Sequence, residues 1–553
     1  MPDLVKLFHM PSTNFLSSID IWIVLFYAVS IFVLAQLVSR RKATEEVSSK
    51  GYFLANNQLP WWAIGASLIA ANISAEQIIG MSGSGYRIGL AIASYEWMAA
   101  ITLIIVGKYF LPVFLRNGVQ TMPGFLQQRF GPSVKYLMAI FWLLLYVFVN
   151  LSSILWLGGT AVTTVTGIDT LTVLIGLGVF ALLYQITGGL RAVALTDIVQ
   201  VTLLVLGGLI IVAITLGKIG GDGGIVHGFT QLMTQYPEHF KMILPKESEF
   251  YKDLPGIAVL VGGMWIMNIS YWGFNQYIIQ RALAAKSLPE AQKGIAFAAY
   301  LKLLMPVIVV VPGMAALVLA PGLEKSNEAY PHMMTLLPTG LLGLVFVALT
   351  FAVISSTASK INSIATIFTI DIVAPLRKDL SEKTLVTVGR VASVVAVVIA
   401  IAVAKPLVGS FDQGFQFIQD FTGFFTPAIV VIFGLGMFWK RCSTAGAFAA
   451  VAGGFLMSCF FYVASWLHTH PDFFGFTNGF MATTVPDMPF MNRVGWVFWI
   501  ATALCVAVSL VVPNKREVST LTLEGVSFKT TTAFNVLAVG VVIILIALYL
   551  YFR

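Results

Sequence analysis

The sequence predicts an all-α membrane protein, and three observations support this fold class. The chain has 553 residues, of which 58% are hydrophobic and only 10% charged, and its mean hydropathy is +0.88. Apolar stretches of about 20 residues, long enough to cross a bilayer as helices, recur along nearly the whole chain, and we count about fourteen. Two of these stretches carry polar clusters near their middles. We therefore expect one transmembrane domain over residues 1–553, with some helices discontinuous.

The predicted spans follow one another with short connections. The longest polar connections, residues 218–254 and 467–490, are predicted to be loops, and we expect no cleavable signal peptide before the first span. The spans are centred near residues 28, 73, 103, 150, 179, 207, 268, 307, 356, 395, 425, 455, 502 and 542.

Basic residues in alternate loops predict the orientation of the chain. Because short loops rich in Lys and Arg face the cytoplasm, both termini are expected outside it. The net charge of +8 is then mostly a consequence of topology, and its spread along the chain gives no support to nucleic-acid binding. The loops concerned contain Arg40, Arg41, Lys42, Lys50, Arg116, Arg129, Arg191, Arg281, Lys286, Lys293, Arg377, Lys378, Lys383, Lys440, Arg441, Lys515, Arg516 and Lys529.

Cysteines and histidines argue against a catalytic or metal centre inside the membrane. Cys442, Cys459 and Cys505 lack metal-site spacing and are predicted to pack in or beside apolar spans. All six histidines fall in stretches that we place outside the membrane. His468 and His470 have a spacing that permits metal contact, although a solvated loop is the commoner role of such a pair. We therefore expect no enzyme.

Two apolar stretches, residues 61–86 and 255–282, contain the polar clusters. The first reads AANISAEQ over Ala70–Gln77 and the second NISYWGFNQ over Asn268–Gln276. An unsatisfied polar group in hydrocarbon costs several kcal/mol, so such clusters face a cavity, bind a ligand or interrupt a helix. Paired interruptions in corresponding halves of a chain indicate the binding site of a transporter.

An internal repeat is a second inference from these clusters. Asn-Ile-Ser occurs at 72–74 and again at 268–270. The start of the second copy lies five predicted spans after the start of the first, an odd number, so the two copies run in opposite directions across the membrane, as an inverted repeat requires. A match of so few residues also arises by chance.

Five motifs follow one another along almost the whole chain: Ala70–Gly80, Tyr95-Glu96-Trp97, Tyr271–Arg281, Ala348–Ser363 and Phe415–Phe424. They resemble, in the same order, the motifs of the sodium/solute symporter family, above all its bacterial sodium/galactose (sodium/glucose) branch. The resemblance implies a leucine-transporter-like architecture with two inverted repeats of five helices each, over about 61–217 and 255–439. It also implies one helix before them and three additional helices over about 444–553.

The resemblance also implies a sodium site. Sodium is a hard cation that takes oxygen ligands, and a broken helix frees backbone carbonyls for that purpose. The implied ligands are the carbonyls of Ala70, Ile73 and Ala352 and the hydroxyls of Ser355 and Ser356. The alternative for both serines is a hydrogen bond to the preceding helical turn or to a neighbouring helix.

A carboxylate is implied on the intracellular path of the ion. Asp197 matches a family carboxylate in that position. An intrahelical pair with Arg191, or a place at a helix N-terminus, is the alternative.

The implied substrate pocket is polar and has an aromatic face. A sugar offers many hydroxyls, so its pocket needs side chains that donate and accept hydrogen bonds and an aromatic face for the ring. A buried Glu96 also argues against an anionic substrate. The alternative for Glu96 and Lys302 is that they pair with each other or with the backbone. The family positions correspond here to Asn72, Gln77, Glu96, Asn268, Lys302 and Gln419, with Tyr271 as the aromatic platform.

Gates are implied on both sides of this pocket. Met81, Tyr95 and Phe415 match the outer hydrophobic lid, and Tyr271 matches the inner barrier with Trp272 behind it. Without the resemblance, such aromatics are more often core or lipid-facing residues.

The expected function is sodium-coupled import of a neutral sugar of the galactose/glucose class by alternating access at the cell membrane, with sodium as the coupling ion. Ala99 stands where relatives carry a serine near the sugar, which leaves the preferred sugar open. The alternatives are another organic solute, such as proline, an inositol or a vitamin, or, with less support, an ion channel.

Overall fold

The computed structural model describes residues 15–39, 59–119, 121–187, 190–377, 379–469, 488–514, 521 and 523–553. In these ranges every regular element is a helix, apart from an isolated β-bridge between Leu59 and Ala285. This agrees with the predicted all-α class. Helices satisfy their backbone hydrogen bonds internally, as segments that cross a membrane must.

Helices occupy all of the predicted spans, although the count of fourteen crossings stays a prediction. By length and composition, the described part of the chain holds nine helices able to cross a membrane, or up to eleven if each of two bent pairs counts as one. The principal helices are Ser18–Ser39, Trp61–Asn72 with Met81–Arg87, Ser94–Ile105 with Leu111–Arg116, Pro132–Leu144 with Ser152–Thr166, Thr170–Thr187, Leu190–Gly220, Gly263–Phe274 with Gln276–Leu283, Leu288–Leu319, Leu341–Thr366, Glu382–Leu407, Gly414–Thr422 with Thr426–Phe438, Thr444–Thr469, Phe490–Val511 and Thr532–Tyr551.

The longest predicted loops contain more structure than expected. Residues 218–254 include the helix Gly224–Gln235 and the short helical turn Pro237–Phe240. The prediction of a plain loop is wrong there, because the segment places apolar residues such as Leu232 at helical spacing against the core. Most of the other predicted loop, 470–487, lies outside the described residues.

The first broken helix, Trp61–Arg87, is interrupted where the sequence predicts it. Its first half ends at Asn72, and the backbone is extended at Ile73, with φ −69° and ψ 99°. A π-helical turn, Glu76–Gly80, then leads into Met81–Arg87, and the two halves meet at 63°. The carbonyls that end the first half thus have no intrahelical donors, which prepares them to accept other partners.

The second broken helix, Ile257–Leu283, is interrupted at Gly262 and again at Asn275, which lies inside the predicted polar cluster Asn268–Gln276. The backbone at Asn275 is extended, with φ −85° and ψ 121°. Asn268, Ile269 and Ser270 lie inside the continuous helix Gly263–Phe274. The Asn268 side chain donates to the Met264 carbonyl at 3.2 Å and is satisfied within that helix.

A third broken helix, Gly414–Phe438, was not predicted. Its halves Gly414–Thr422 and Thr426–Phe438 meet at 45°. Pro427, near the start of the second half, cannot donate a backbone hydrogen bond to the preceding turn. The first half, Gly414–Thr422, packs against Glu76–Gly80 and Met81–Arg87 of the first broken helix.

Glycines bring the first broken helix very close to the long helix Leu288–Leu319. A Cβ built on Gly313 would lie 2.1 Å from the Ser82 carbonyl oxygen, and one on Gly65 would lie 2.6 Å from the Gly294 carbonyl oxygen. Small residues allow helix backbones to approach in this way inside a membrane. The contact fixes Asn72 and Gln77 opposite the middle of Leu288–Leu319.

A buried carboxylate connects the first helix to Leu341–Thr366. Asp20, which is 1% exposed, accepts hydrogen bonds from the backbone N–H groups of Gly340 and Gly343 at 2.7 and 2.8 Å. These are donors that a helix leaves unpaired at its N-terminus. Asp20 therefore caps the helix that carries Ser355 and Ser356.

Candidate functional site

Five side chains from four helical segments form a buried hydrogen-bonded group, which we call the central polar cluster. The Lys302 ammonium donates to the carboxylate of Glu96 and to the side-chain oxygen of Asn72. Gln77 Nε2 donates to the other oxygen of Glu96 at 2.7 Å, and Asn72 Nδ2 donates to the Tyr271 hydroxyl at 3.0 Å. The cluster thus joins both sides of the first break to the helices of Glu96, Tyr271 and Lys302.

The cluster is charge-balanced as well as buried. Lys302 is wholly buried and Glu96 is 2% exposed. The Lys302 ammonium also lies 4.9 Å from the centre of the Trp272 ring. A cation over an aromatic face gains electrostatic stabilisation that partly replaces water. The alternative considered for Glu96 and Lys302, a mutual pair, is therefore the arrangement found.

Tyr271 extends the cluster towards the break at Asn275. Tyr277 donates its hydroxyl hydrogen to the Tyr271 hydroxyl at 2.7 Å, and Tyr146 donates to Asn275 Oδ1 at 2.9 Å. The rings of Tyr271 and Trp272 meet edge to face at 5.2 Å. Tyr271, where the inner barrier is expected with Trp272 behind it, thus lies on the side of the cluster that faces the second break.

Asn268 and Gln419 stand apart from the cluster. Asn268 shares a helical face with Tyr271 and Trp272 but bonds its own helix. Gln419 is half-buried in Gly414–Thr422. One turn earlier on that helix, the buried Gln416 accepts a hydrogen bond from the Tyr95 hydroxyl at 3.5 Å. Sequence reasoning missed Gln416, although it lies in the same motif as Gln419.

Two residues of the expected outer lid, Tyr95 and Phe415, are in contact. The rings of Tyr95 and Phe415 meet edge to face at 5.0 Å, and both side chains are buried, as is Met81. A Cβ built on Gly80 would lie 3.2 Å from the Phe415 Cβ, so the lack of a side chain there lets Phe415 approach the first broken helix. The role of these residues as an outer gate stays a prediction.

Polar contacts cover the lid on its outer side. Arg87 and Asp412 form an ion pair at 3.2 Å, with both side chains 46% exposed. Gln413 donates to Asp253 at 3.3 Å, and burial raises the pKa of the Asp253 carboxyl in spite of that bond. An ion pair as exposed as this one contributes little free energy, so it can open without large cost.

The expected sodium ligands lie on two helices that touch. Ala70 and Ile73 flank the end of Trp61–Asn72, and Ala352, Ser355 and Ser356 share one face of Leu341–Thr366, at i, i+3 and i+4. All five are buried. Backbone carbonyls and hydroxyls are oxygen ligands of the kind that sodium takes, and the sodium site at these residues stays a prediction.

Two further expectations concern single residues. The backbone of Asp197 lies in the helix Leu190–Gly220, but the side chains of Asp197 and Arg191 lie outside the described part of the chain, so that role stays a prediction. Ala99 is 1% exposed and shares the helix Ser94–Ile105 with Glu96. A serine hydroxyl at this position would face the buried interior.

A buried cation close to the expected sodium ligands was not singled out from the sequence. Lys360 lies one turn beyond Ser356 and is 2% exposed, and Glu76 follows the first break. The signal was available, since a charged residue in an apolar span indicates function by default.

A separate apolar cavity has no connection with these sites. It has a volume of about 420 Å3 and lies between Pro132–Leu151, Leu341–Thr366 and Glu382–Leu407. Leu143, Phe368 and Val391 are among its lining residues. It shares no residue with the central polar cluster or the expected sodium ligands.

Comparison with known proteins decides the family. Residues 52–454 match the model of the sodium:solute symporter family. The chain belongs to this family. It is 45% identical over 97% of its length to a sodium/glucose cotransporter of Vibrio parahaemolyticus, of which it covers 98%. It is 34% identical to sodium/myo-inositol cotransporter 2 of Homo sapiens (80% of this chain, 69% of that protein) and to sodium/glucose cotransporter 1 of Oryctolagus cuniculus (74% and 66%).

Solved structures of other transporters show the same fold. A Na+-coupled sialic acid symporter in a substrate-bound outward-open state superposes with a TM-score of 0.74 at 21% identity, covering 91% of this chain and all of that one. MHP1, a nucleobase-cation-symport-1 family transporter, gives a TM-score of 0.52 at 13% identity, covering 86% and 96%. The expected leucine-transporter-like fold class is confirmed.

Family membership also confirms the coarse function. The relatives are sodium-coupled cotransporters, so the chain is a sodium symporter of the membrane and a transport protein rather than an enzyme. Sodium as the coupling ion, which the motifs implied, is confirmed by the same relatives.

Proposed function

We propose that this symporter imports an uncharged sugar of the galactose/glucose class by alternating access, with the central polar cluster as its binding site. The observation that carries the proposal is the cluster itself. In it a buried cation, a buried anion and two amides converge beside a tyrosine and a tryptophan. The 45% identity to a sodium/glucose cotransporter supports the same substrate class.

The chemistry of the cluster suits a polyhydroxylated, neutral ligand. Glu96 accepts, Lys302 donates, and Asn72 and Gln77 do both, so vicinal hydroxyls can replace the bonds that these groups now make to each other. Glu96 would repel an anionic ligand, and Lys302 would repel a cationic one. Tyr271 and Trp272 offer aromatic faces to the C–H surface of a sugar ring.

In this proposal, sodium binds at the first break and thereby shapes the sugar pocket. When the carbonyls of Ala70 and Ile73 bind the ion, the backbone that leads into Asn72 and Gln77 becomes fixed. Ser355 and Ser356 bind the ion from the opposite side. Binding of the ion therefore favours the conformation that binds sugar. This is a population shift driven by differential affinity for two states.

Alternating access follows from the two barriers. Tyr95 and Phe415 close the pocket on the outer side, and Tyr271 with Tyr277 closes it on the inner side. Outward opening would separate Phe415 from Gly80. Inward opening would move Tyr271 away from Asn72 and release sugar and sodium.

The sodium gradient supplies enough free energy for accumulation. One charge moving through 100 mV yields ~2.3 kcal/mol, and a tenfold sodium gradient adds about 1.4 kcal/mol. With one sodium per sugar, the accumulation limit is on the order of 500-fold.

The finer topology belongs to the same proposal. Basic residues in alternate loops support a cell-membrane protein whose two termini are both extracytoplasmic. Opposed helices broken at Ile73 and Asn275 support inverted repeats over about 61–217 and 255–439, followed by three additional helices over about 444–553.

A competition experiment tests the substrate class. Protein in liposomes takes up labelled galactose under an inward sodium gradient, in the presence of excess unlabelled galactose, glucose, myo-inositol, proline or sialic acid. We expect galactose and glucose to suppress uptake, and proline and sialic acid to leave it unchanged. Stronger suppression by myo-inositol than by either hexose would instead assign the site to the class transported by the inositol relatives.

A further inference from the structure

Lys360 is a buried cation placed directly beside the expected sodium ligands. It lies four residues after Ser356 on Leu341–Thr366, and side chains four residues apart share a helical face. One helical turn is about 5.4 Å, which the flexible stem of a lysine can span. The ammonium can therefore reach the hydroxyls of Ser355 and Ser356.

The ammonium of Lys360 has aromatic neighbours in place of oxygen ligands. It lies 3.9 Å from the centre of the Tyr277 ring and 5.7 Å from that of Tyr146. Among the described residues, none accepts a hydrogen bond from it. A buried lysine normally satisfies its donors, since a dry charge without partners costs several kcal/mol. The position over Tyr277 is thus one from which the ammonium gains by moving to oxygen atoms.

Glu76 provides the balancing charge on the other side of the expected sodium site. It lies three residues after Ile73, just beyond Trp61–Asn72, and that helix contacts Leu341–Thr366, which carries Lys360. One carboxylate oxygen of Glu76 is buried and receives no hydrogen bond from the described residues. Glu76 and Lys360 thus form no direct ion pair, which leaves both groups able to respond to a third charge.

We propose that Lys360 is an internal competitor of sodium. Without the ion, its ammonium occupies the hydroxyls of Ser355 and Ser356. When sodium binds there, the ammonium withdraws to the faces of Tyr277 and Tyr146, where Glu76 balances it. The inference rests on the proposed sodium site and deepens it, because it names the residue that sets how much sodium the carrier needs.

The proposal predicts opposite effects for the two partners. Lys360→Met removes the competitor and keeps the shape of the side chain, so the sodium concentration for half-maximal galactose binding falls about threefold or more. Glu76→Gln removes the counter-charge and drives the ammonium towards the hydroxyls, so that concentration rises by a similar factor. In the double variant Lys360→Met/Glu76→Gln, the loss of Glu76 no longer raises it, because no ammonium remains to be driven.

The experiment is a sodium titration of labelled galactose binding to the purified full chain, at constant ionic strength with choline chloride. Lys405→Met, which removes an equal charge at an exposed site, is the matched control and should bind as wild type. Galactose affinity at saturating sodium should stay within about twofold of wild type in every variant. A merely structural lysine would shift both quantities together.

The outcomes separate this inference from the proposed function. If wild-type protein binds galactose equally well without sodium, both this inference and the proposed function are overturned. If wild-type binding depends on sodium but Lys360→Met has an unchanged or weakened sodium affinity, only the proposal that Lys360 competes with sodium is overturned. If Lys360→Met does not fold, Glu76→Gln decides, and an unchanged or lowered sodium requirement in that variant contradicts the competitor.

Discussion

Lys302 and Glu96 form an ion pair in the middle of the membrane domain, with side chains that are 0% and 3% exposed. Each is the other's main compensation for the loss of water. When a sugar binds here, its hydroxyls replace hydrogen bonds that the protein groups make to each other. The sugar does not meet an uncompensated charge. This relationship supports a neutral substrate and makes the pair a determinant of stability as well as of binding.

Replacing one member of this ion pair should destabilise the protein more than replacing both. Lys302→Met leaves the Glu96 charge buried alone, and we expect a loss of about 3–5 kcal/mol of stability. Lys302→Met/Glu96→Gln should recover most of it while binding no galactose. Thermal unfolding of the solubilised protein measures the difference, and equal melting temperatures for the two variants would contradict the account.

Another buried pair supplies the control for this experiment. Lys135 and Asp371 lie 3.0 Å apart, with side chains 8% and 10% exposed, away from the central polar cluster. Lys135→Met should also lower the melting temperature. The protein that remains folded should bind galactose as wild type does, which separates loss of stability from loss of the site.

Gln77→Ala should abolish detectable galactose binding. The amide donates to Glu96 at 2.7 Å, and its removal leaves a buried carboxylate oxygen with one donor fewer, at a cost of about 1–3 kcal/mol besides the lost sugar contact. Equilibrium binding at saturating sodium is the measurement. Gln235→Ala, at an exposed helix end, should bind normally. Wild-type affinity in Gln77→Ala would remove the residue from the site.

Ser356→Ala should raise the sodium concentration that half-saturates transport, by about tenfold for the loss of one oxygen ligand. Ser363→Ala is the matched control on the same helix, since its hydroxyl donates to the Ser359 carbonyl at 3.0 Å. That variant should keep the sodium dependence of wild type. An identical sodium titration for Ser356→Ala and wild type would be inconsistent with the assigned ligand.

Asp20→Ala should destabilise the protein by about 1–2 kcal/mol, the usual effect of losing a helix N-cap. Asp20 accepts from Gly340 and Gly343, at the start of the helix of Ser355 and Ser356. Asp169→Ala removes an exposed cap, with Thr172 N–H donating at 3.1 Å, and should cost less. A melting temperature for Asp20→Ala at or above that of Asp169→Ala would refute the cap.

The first break could be predicted from the sequence because backbone and side chains give the same signal there. Asn72, Ser74, Glu76 and Gln77 interrupt an apolar run, and the helix ends at Asn72. At 268–270 the same tripeptide lies in a regular helix, since Asn268 bonds its own turn. Polar composition alone does not distinguish a helix that breaks from one whose polar side chains satisfy themselves.

Long-range pairings lay beyond the sequence for a different reason. Lys302 with Glu96, and Asp20 with Gly340, join residues hundreds of positions apart, so no local pattern relates them. Lys360 and Gln416 were within quoted motifs, but the family resemblance directed attention to their neighbours Ser356 and Gln419. Which face of a helix meets the interior is set by packing against other spans, such as the contact of Gly313 with Ser82.

The central claim is that a sodium gradient drives an uncharged sugar through the central polar cluster. The most direct measurement is uptake of labelled galactose by protein in liposomes, with an inward gradient of sodium or an equal gradient of potassium. The account predicts accumulation above the external concentration with sodium and only equilibration or none with potassium. Equal accumulation with the two cations would contradict it.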